Sequence, residues 1–270
     1  MNLSSYLARI GFRRTPRPNI VTLRLLQRAH TLAVPFENLD VQLGRPLTTD
    51  VREAYEKIVL RRRGGWCYEQ NGLFGWALSE IGFEVTRVAA AVMRAERGEV
   101  SEANHLALLV RTPDADEAWL ADVGFGGSLL DPIRLEERAH RHDPFRLGLR
   151  RLDDGYWQFW EDAGDGEFRY DFRPGPASED ALARLCAHLQ ADPESHFVLN
   201  LVAQARTPRR HTTLRGRVLT HIDAGGERAS MLGSADQLVQ TLAGVFGLDV
   251  PEVADCWPRV RERHEQLFGE

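Results

Sequence analysis

Three residues would carry chemistry in this chain if the fold brought them together. Cys67 stands in RGGWCYEQNGLF, His105 in ANHLALLVRT and Asp122 in AWLADVGFGG. A thiolate is a strong nucleophile, but a free thiol is mostly protonated at neutral pH. Cys67 follows a Gly64-Gly65 turn, where an amphipathic helix begins. A helix N-terminus offers unpaired N–H groups and partial positive charge, which favour the anion. Histidine exchanges a proton near neutrality, and an aspartate that interrupts an apolar run needs partners. Taken singly, each has a plainer reading. Cys67 is then a small buried hydrophobe, His105 a satisfied strand histidine, and Asp122 a cap for the glycine loop after it.

Spacing joins the last two. The strands around His105 and Asp122 are connected by TPDADE. A hairpin centred between Pro113 and Asp114 sets position 105 opposite 122, with Cβ atoms ~5 Å apart on one face. A turn shifted by one residue makes them diagonal neighbours, still within reach of a His–Asp hydrogen bond. Such a pair is the orienting half of a nucleophile–base–acid set. With Cys67 beside it, the chemistry is acyl transfer. The imidazole takes the thiol proton, the sulfur attacks a carbonyl, and a thioester forms and passes its acyl group to an acceptor. The backbone N–H of Cys67 or a neighbour would stabilise the oxyanion.

The elements that must position these residues can be read from periodicity. The first 85 residues read as helical. Leu23, Leu25, Leu26 and Ala29 mark one helix, and Asp50 with Glu53 starts another that runs through Ile58. Leu73, Phe74, Ala77, Leu78 and Ile81 place a third helix from about Cys67 to a stop at Gly82. From about 84 to 173 the period becomes two. EVTRVAAAV, HLALLVRT, AWLADVGF, FRLGLRRL, YWQFWE and EFRYDF read as an antiparallel meander, with Asp154-Gly155 as a hairpin turn. After RPGPASED, residues 179–190 read as a helix with Leu182, Leu185, Cys186 and Leu189 on one face. HTTLRGRVLTHI and ERASML suggest one hairpin around Ala224-Gly225-Gly226. Ser234 with Gln237 caps a helix ending near Gly247, and a last helix closes the chain.

Composition narrows the class. With 270 residues the chain can bury a sizeable core without disulfides. A net charge of −5 argues against general nucleic-acid binding. No stretch approaches the ~20 apolar residues of a membrane span, and MNLSSYLARIGFRR has no apolar core of signal-peptide length. Cys67, Cys186 and Cys256 are odd in number and far apart, so neither a disulfide framework nor a metal site is readable. A cytoplasmic chain with reduced thiols is expected. His140 and His142 resemble a metal pair only in spacing, and no metal is expected.

RGGWCYEQNGLF, NHLALLV and LADVGFGG, with the upstream VPFENLD and the downstream Thr207-Pro208, closely resemble the arylamine N-acetyltransferases. The resemblance covers essentially the whole chain. The Cys, His, Asp order at intervals of 38 and 17 residues adds to it, whereas papain-like proteases have a much longer gap. It implies an α+β fold with a cysteine-protease/transglutaminase-like core. Residues 1–84 would be an N-terminal helical bundle carrying the nucleophile, 85–174 a central antiparallel β-barrel carrying His and Asp, and 175–270 a C-terminal α/β lid. Cys67 would be the acetylated nucleophile, His105 the base and Asp122 its partner. Acetyl-CoA would be the donor in a ping-pong mechanism of xenobiotic metabolism, with arylamines, arylhydrazines or arylhydroxylamines as acceptors. Phe36 and Phe125 would line the acceptor pocket, and Gly126, Gly127 and Thr207 would lie along the cofactor, the glycines keeping the loop low for its thioester arm. The assembly would be a monomer or homodimer.

Arg209, Arg210 and His211 are candidates for CoA phosphates, as are Arg61, Arg62 and Arg63; the plainer reading of each run is a solvated loop. Two other functions fit the same fold. One is an amide synthase acting on polyketide-type acyl groups. The other is a non-catalytic binding module, against which the intact set of Cys67, His105 and Asp122 argues.

Overall fold

Asparagine side chains open the first two helices. Asn2 accepts the Ser5 N–H to start α1 (Leu3–Arg9), and Asn19 accepts the Thr22 N–H to start α2 (Ile20–Ala33). A short α3 (Leu39–Gln42) follows. Asp50 caps α4 (Val51–Tyr55) by accepting the Arg52 N–H, and the chain continues through a π turn, Glu56–Leu60, slightly past the predicted end at Ile58. Then comes α5 (Cys67–Ile81), which stops at Gly82 in the left-handed region, as the glycine signal required. The computed structural model describes residues 1–98, 102–113, 115–164 and 166–269. The predicted helical stretch also holds a strand, β1 (Phe36–Glu37), too short to show any periodicity.

The central strands are β2 (Glu84–Val92), β3 (His105–Arg111), β4 (Trp119–Ala121), β5 (Ile133–Arg134), β6 (Arg138–His142), β7 (Phe145–Arg151), β8 (Trp157–Asp162) and β9 (Glu167–Phe172). A short α6 (Arg94–Arg97) follows β2. They form a curled antiparallel sheet in the order β5-β4-β3-β2-β9-β8-β7-β6. Its concave side packs Val88, Leu109, Leu147, Phe159, Tyr170 and Phe172 into one core. α5 lies against β3, and Leu108, Val110, Ala121 and Val123 join the core of the N-terminal helices. The β3–β4 register pairs Leu108 with Ala121. His105 and Asp122 are therefore diagonal rather than directly opposed, the turn being shifted by one residue from its predicted centre. Asp114, at that predicted centre, lies outside the described residues.

The C-terminal part opens with α7 (Glu179–Ala191) and α8 (His196–Leu199). Strands β10 (Val202–Arg206), β11 (Arg210–Arg215), β12 (Val218–Asp223) and β13 (Gly226–Met231) follow, then α9 (Ala235–Phe246), a 3-10 turn and α10 (Trp257–Phe268). HTTLRGRVLTHI is itself a hairpin, β11–β12, turning at Gly216-Arg217. There are thus two hairpins where one was expected; the signal for the first was Gly216, at positive φ in the first position of a two-residue turn. β1 adds to the edge of this sheet through β10, which ties the N-terminal segment to the C-terminal one. α9 is capped by Ser234 and ends at Gly247 as expected, although the Gln237 side chain accepts from Gly233 rather than from Ser234.

Candidate active site

Cys67 is the first residue of α5, and glycines bring the preceding turn into place. A Cβ on Gly64 would stand 2.3 Å from the Pro35 carbonyl oxygen, and one on Gly65 2.9 Å from Glu69 Oε2. The four residues after Cys67 are all buried, and each has a partner. Tyr68 donates to the Ala103 carbonyl (2.7 Å). Glu69 accepts from the Trp66 N–H (3.2 Å) and from Lys57 Nζ (2.9 Å). Gln70 donates to the Gly65 carbonyl (2.7 Å). Asn71 donates to Asp122 Oδ1 (2.7 Å) and accepts from the Val123 N–H (2.9 Å). Beneath the turn lies a buried ion cluster in which Lys57 meets Asp40 and Glu69, while Arg63 meets Glu37 and Asp40. Arg63 is thereby a structural cation, not a solvated one.

His105, the first residue of β3, directs Nε2 at Asp122 Oδ2 (2.7 Å), and both its ring and Cys67 line the same cavity. Burial alone would push the imidazole down, but the charge of Asp122, their hydrogen bond and Cys67 outweigh it and raise the ring to about 10. Asp122 follows β4 and receives four donors: Asn71 and the Gly124 N–H (2.9 Å) on Oδ1, His105 and the Tyr170 hydroxyl (2.9 Å) on Oδ2. Burial raises this carboxyl, yet His105 and these bonds hold it below its usual range. Sequence reasoning missed Asn71 and Tyr170. The signal for Tyr170 was present, since alternation in EFRYDF sets it on one face with Phe168 and Phe172.

The loop after Asp122 is clamped between α5 and the C-terminal sheet. A Cβ on Gly124 would meet the Cys67 Cα at 2.7 Å, and one on Gly126 would fall 1.6 Å from Gln204 Oε1. Gly126 and Gly127 both have positive φ. His211 Nε2 donates to the Gly126 carbonyl (2.8 Å), and Arg206 Nε donates to that of Gly127 (2.8 Å). Burial drives His211 down to about 4, against its bond to the Gly126 carbonyl. A Cβ on Gly127 would meet Arg206 of β10 and Thr31 of α2.

A cavity of about 760 Å³ opens above these groups, lined by Phe36, Cys67, His105, Phe125, Gly126 and Gln204 among others. Phe125 packs edge-on to His105, with ring centroids 5.1 Å apart. Gly127 lines a small neighbouring crevice instead. Thr207 lies outside the cavity, its hydroxyl accepting the Arg210 N–H (3.0 Å) in the β10–β11 turn. Arg210 pairs with Asp223. His140 and His142 stand on the β6 edge, and no group of three metal-ligating side chains occurs among the described residues. Nor is any described helix long and apolar enough to cross a membrane.

A family model described as N-acetyltransferase matches residues 19–254. The chain is 39% identical to the arylamine N-acetyltransferase of Mycolicibacterium smegmatis over 97% of this chain and 98% of that protein. It is 34% identical to that of Escherichia coli, covering 93% of this chain and 90% of the relative. Its structure superposes on the M. smegmatis enzyme with a TM-score of 0.88 at 37% identity, covering 97% and 98% of the two chains. With the Mycobacterium marinum arylamine N-acetyltransferase, solved in complex with CoA, the TM-score is 0.86 at 32% identity, covering 98% and 99%.

Proposed function

Because the chain belongs to the arylamine N-acetyltransferase family, we propose that it moves an acetyl group from acetyl-CoA to an arylamine-type acceptor through a thioester on Cys67. The observation that carries this reading is the His105–Asp122 hydrogen bond with Cys67 on the wall of the same cavity, which is large enough for both substrates in turn. We keep 1–84, 85–174 and 175–270 as the units that supply, respectively, the thiol, its base with the carboxylate, and the cover.

In the first half-reaction the thiol proton passes to His105 Nδ1. The Cys67 sulfur bonds to the acetyl carbon, the carbon–sulfur bond to CoA breaks, and the departing CoA sulfur takes the proton from the imidazolium. In the second, the acceptor nitrogen attacks the Cys67 thioester, its proton goes to His105, and the thiol is regenerated. Asp122 holds the ring in the tautomer with the proton on Nε2 and stabilises its charged form. The first-turn N–H groups of α5 point where the carbonyl oxygen becomes negative. Phe125, against the His105 ring, and Phe36 give an aromatic acceptor flat apolar walls.

The test is brief exposure to acetyl-CoA followed by peptide mass analysis. One acetyl group on the peptide containing Cys67, removed by an added arylamine with formation of the acetylated amine, is expected. Label only on Cys186 or Cys256, or label that no amine discharges, would refute the reading.

A further inference from the structure

The C-terminal sheet turns one row of side chains toward the active-site cavity. Phe36 of β1 pairs with Gln204 of β10, and Gln204 with Thr213 of β11. Directly opposed residues project from the same face, and all three line the cavity. Their neighbours Ala203 and Leu214 face the other way, into the core of the C-terminal part. Phe36 also bridges to Gly65, in the turn before Cys67. Gln204 therefore stands one strand from the turn that presents the thiol. On its other side is the glycine loop, where the missing Cβ of Gly126 leaves the space that Gln204 Oε1 fills.

Three amide side chains line the cavity, and two of them are engaged. Asn104 accepts from the Val92 N–H (2.8 Å), and Asn200 donates to the His196 carbonyl (3.0 Å). The Gln204 amide makes no hydrogen bond among the described residues. The wall around it is apolar, with Phe36, Phe125 and Val202. Sites for small molecules are largely apolar, and the few polar groups in them fix orientation and give specificity. The oxygen of Gln204 is the end covered by Gly126, so the N–H2 is the end left to donate.

We infer that Gln204 is a specificity-determining residue. Its N–H2 donates to an atom carried on the ring of the acceptor, so that arylamines with a hydrogen-bond-accepting ring substituent are chosen over those substituted with carbon alone. The inference rests on the function proposed above, with the acceptor ring between Phe36 and Phe125, and adds what that ring carries. Gly126 belongs to the same device, because any side chain there would displace the amide from its place beside the loop.

Steady-state kinetics on the whole protein tests this with two acceptors of matched shape. One is 4-methoxyaniline, whose ether oxygen accepts a hydrogen bond; the other is 4-ethylaniline, which has no such atom. The 3-substituted pair covers the other ring position. Gln204→Leu nearly keeps the size of the side chain and removes the donor. It should lower kcat/KM for the methoxy acceptor by roughly fivefold, the worth of one neutral hydrogen bond, and should not lower it for the ethyl acceptor. Comparing the ratio of the two acceptors between proteins cancels the difference in their intrinsic nucleophilicity. Gln204→Glu, which accepts but cannot donate, should lose the methoxy acceptor in the same way yet keep 4-aminophenol, whose hydroxyl can donate. Acetylation of Cys67 by acetyl-CoA in a single turnover should be the same in all three proteins. Folding is checked by circular dichroism, and Gln204→Ala, which needs no added room, serves where leucine disturbs the loop. An unchanged ratio in the folded variants, or a loss that falls equally on both acceptors, would overturn the inference and leave Gln204 as packing for the glycine loop. Failure of the catalytic reading looks different: acetyl-CoA would leave no label on Cys67 of the wild type, and neither acceptor would be turned over.

Discussion

Replacing Asp122 by asparagine changes one atom and should disable the site while leaving the fold standing. Asp122 accepts from four donors, two on each oxygen. An asparagine has one oxygen, and only one orientation avoids opposing donors. Its oxygen must face Asn71 and the Gly124 N–H, and its NH2 must face His105 and Tyr170. The tyrosine hydroxyl can rotate to accept, and His105 Nε2 can accept only by giving up its proton. The ring then carries hydrogen on Nδ1, toward Cys67, and cannot take the thiol proton. The charged imidazole also loses its support. Asp122 is the main influence that raises the ring from 6.5 to about 10 against burial. Without that carboxylate burial acts unopposed, and the charged ring is depopulated at neutral pH. We expect turnover to fall by roughly 10²–10⁴, within the bracket known for tautomer loss in a serine-type set, and iodoacetamide labelling of Cys67 to slow at neutral pH. His105→Ala combined with Asp122→Asn should be little worse than His105→Ala alone, because members of one unit are not additive. A folded Asp122→Asn protein that keeps turnover within tenfold, or strictly additive losses, would refute the reasoning and leave Asp122 as a cap for the glycine loop.

Three further outcomes follow from the same structure. The raised His105 ring stabilises the folded state fully below its ordinary 6.5, and that contribution is lost as pH rises through about 10; urea midpoints between pH 6 and 10 should fall more steeply in the wild type than in His105→Gln. Cys186 is buried on α7, and burial with the nearby Cys67 and Glu69 pushes its thiol up to about 12; Cys186→Ala should keep turnover and lower stability by about 1–2 kcal/mol, measured by denaturant unfolding alongside a steady-state assay. Gly126→Ala places a Cβ on Gln204 Oε1 at a φ of +86°; a loss of about 1–3 kcal/mol is expected, and Gln204→Ala in the same chain should return the clash part but not the backbone part, as read by thermal unfolding.

Elements with chemical punctuation could be read from the sequence. Gly82 and Gly247 end their helices in the left-handed region, and Asp50 and Ser234 begin theirs. β2, EVTRVAAAV, reads as a strand because it is a nine-residue run rich in valine that starts just after the Gly82 stop. β1 and β5 are two residues each, which no pattern can reveal, and RAHRH in β6 is an edge strand with no apolar residue but Ala139. Cys67, His105 and Asp122 could be found because their side chains are chemically rare in such surroundings. Gln204 and Arg206 could not, since what makes them matter is a loop 78 residues earlier whose glycines leave room for them.

The polarity of α5 follows from what must be fixed. A buried helix would be most stable with apolar residues on every face, yet Tyr68, Glu69, Gln70 and Asn71 are buried in sequence. Each is satisfied by a different part of the chain: the segment before β3, the ion cluster at Lys57, the glycine turn, and Asp122. A half-satisfied network would be worse than an apolar core, so only one seating of the helix N-terminus meets all four demands. Asn71 then does two things at once. It fixes the rotation of α5, and thus where Cys67 points, and it orients the carboxylate that holds His105. The position of the thiol and that of the imidazole are set by one amide, which is how residues 67, 105 and 122, drawn from a helix start, a strand start and a loop, come to share a geometry that none of those elements defines alone.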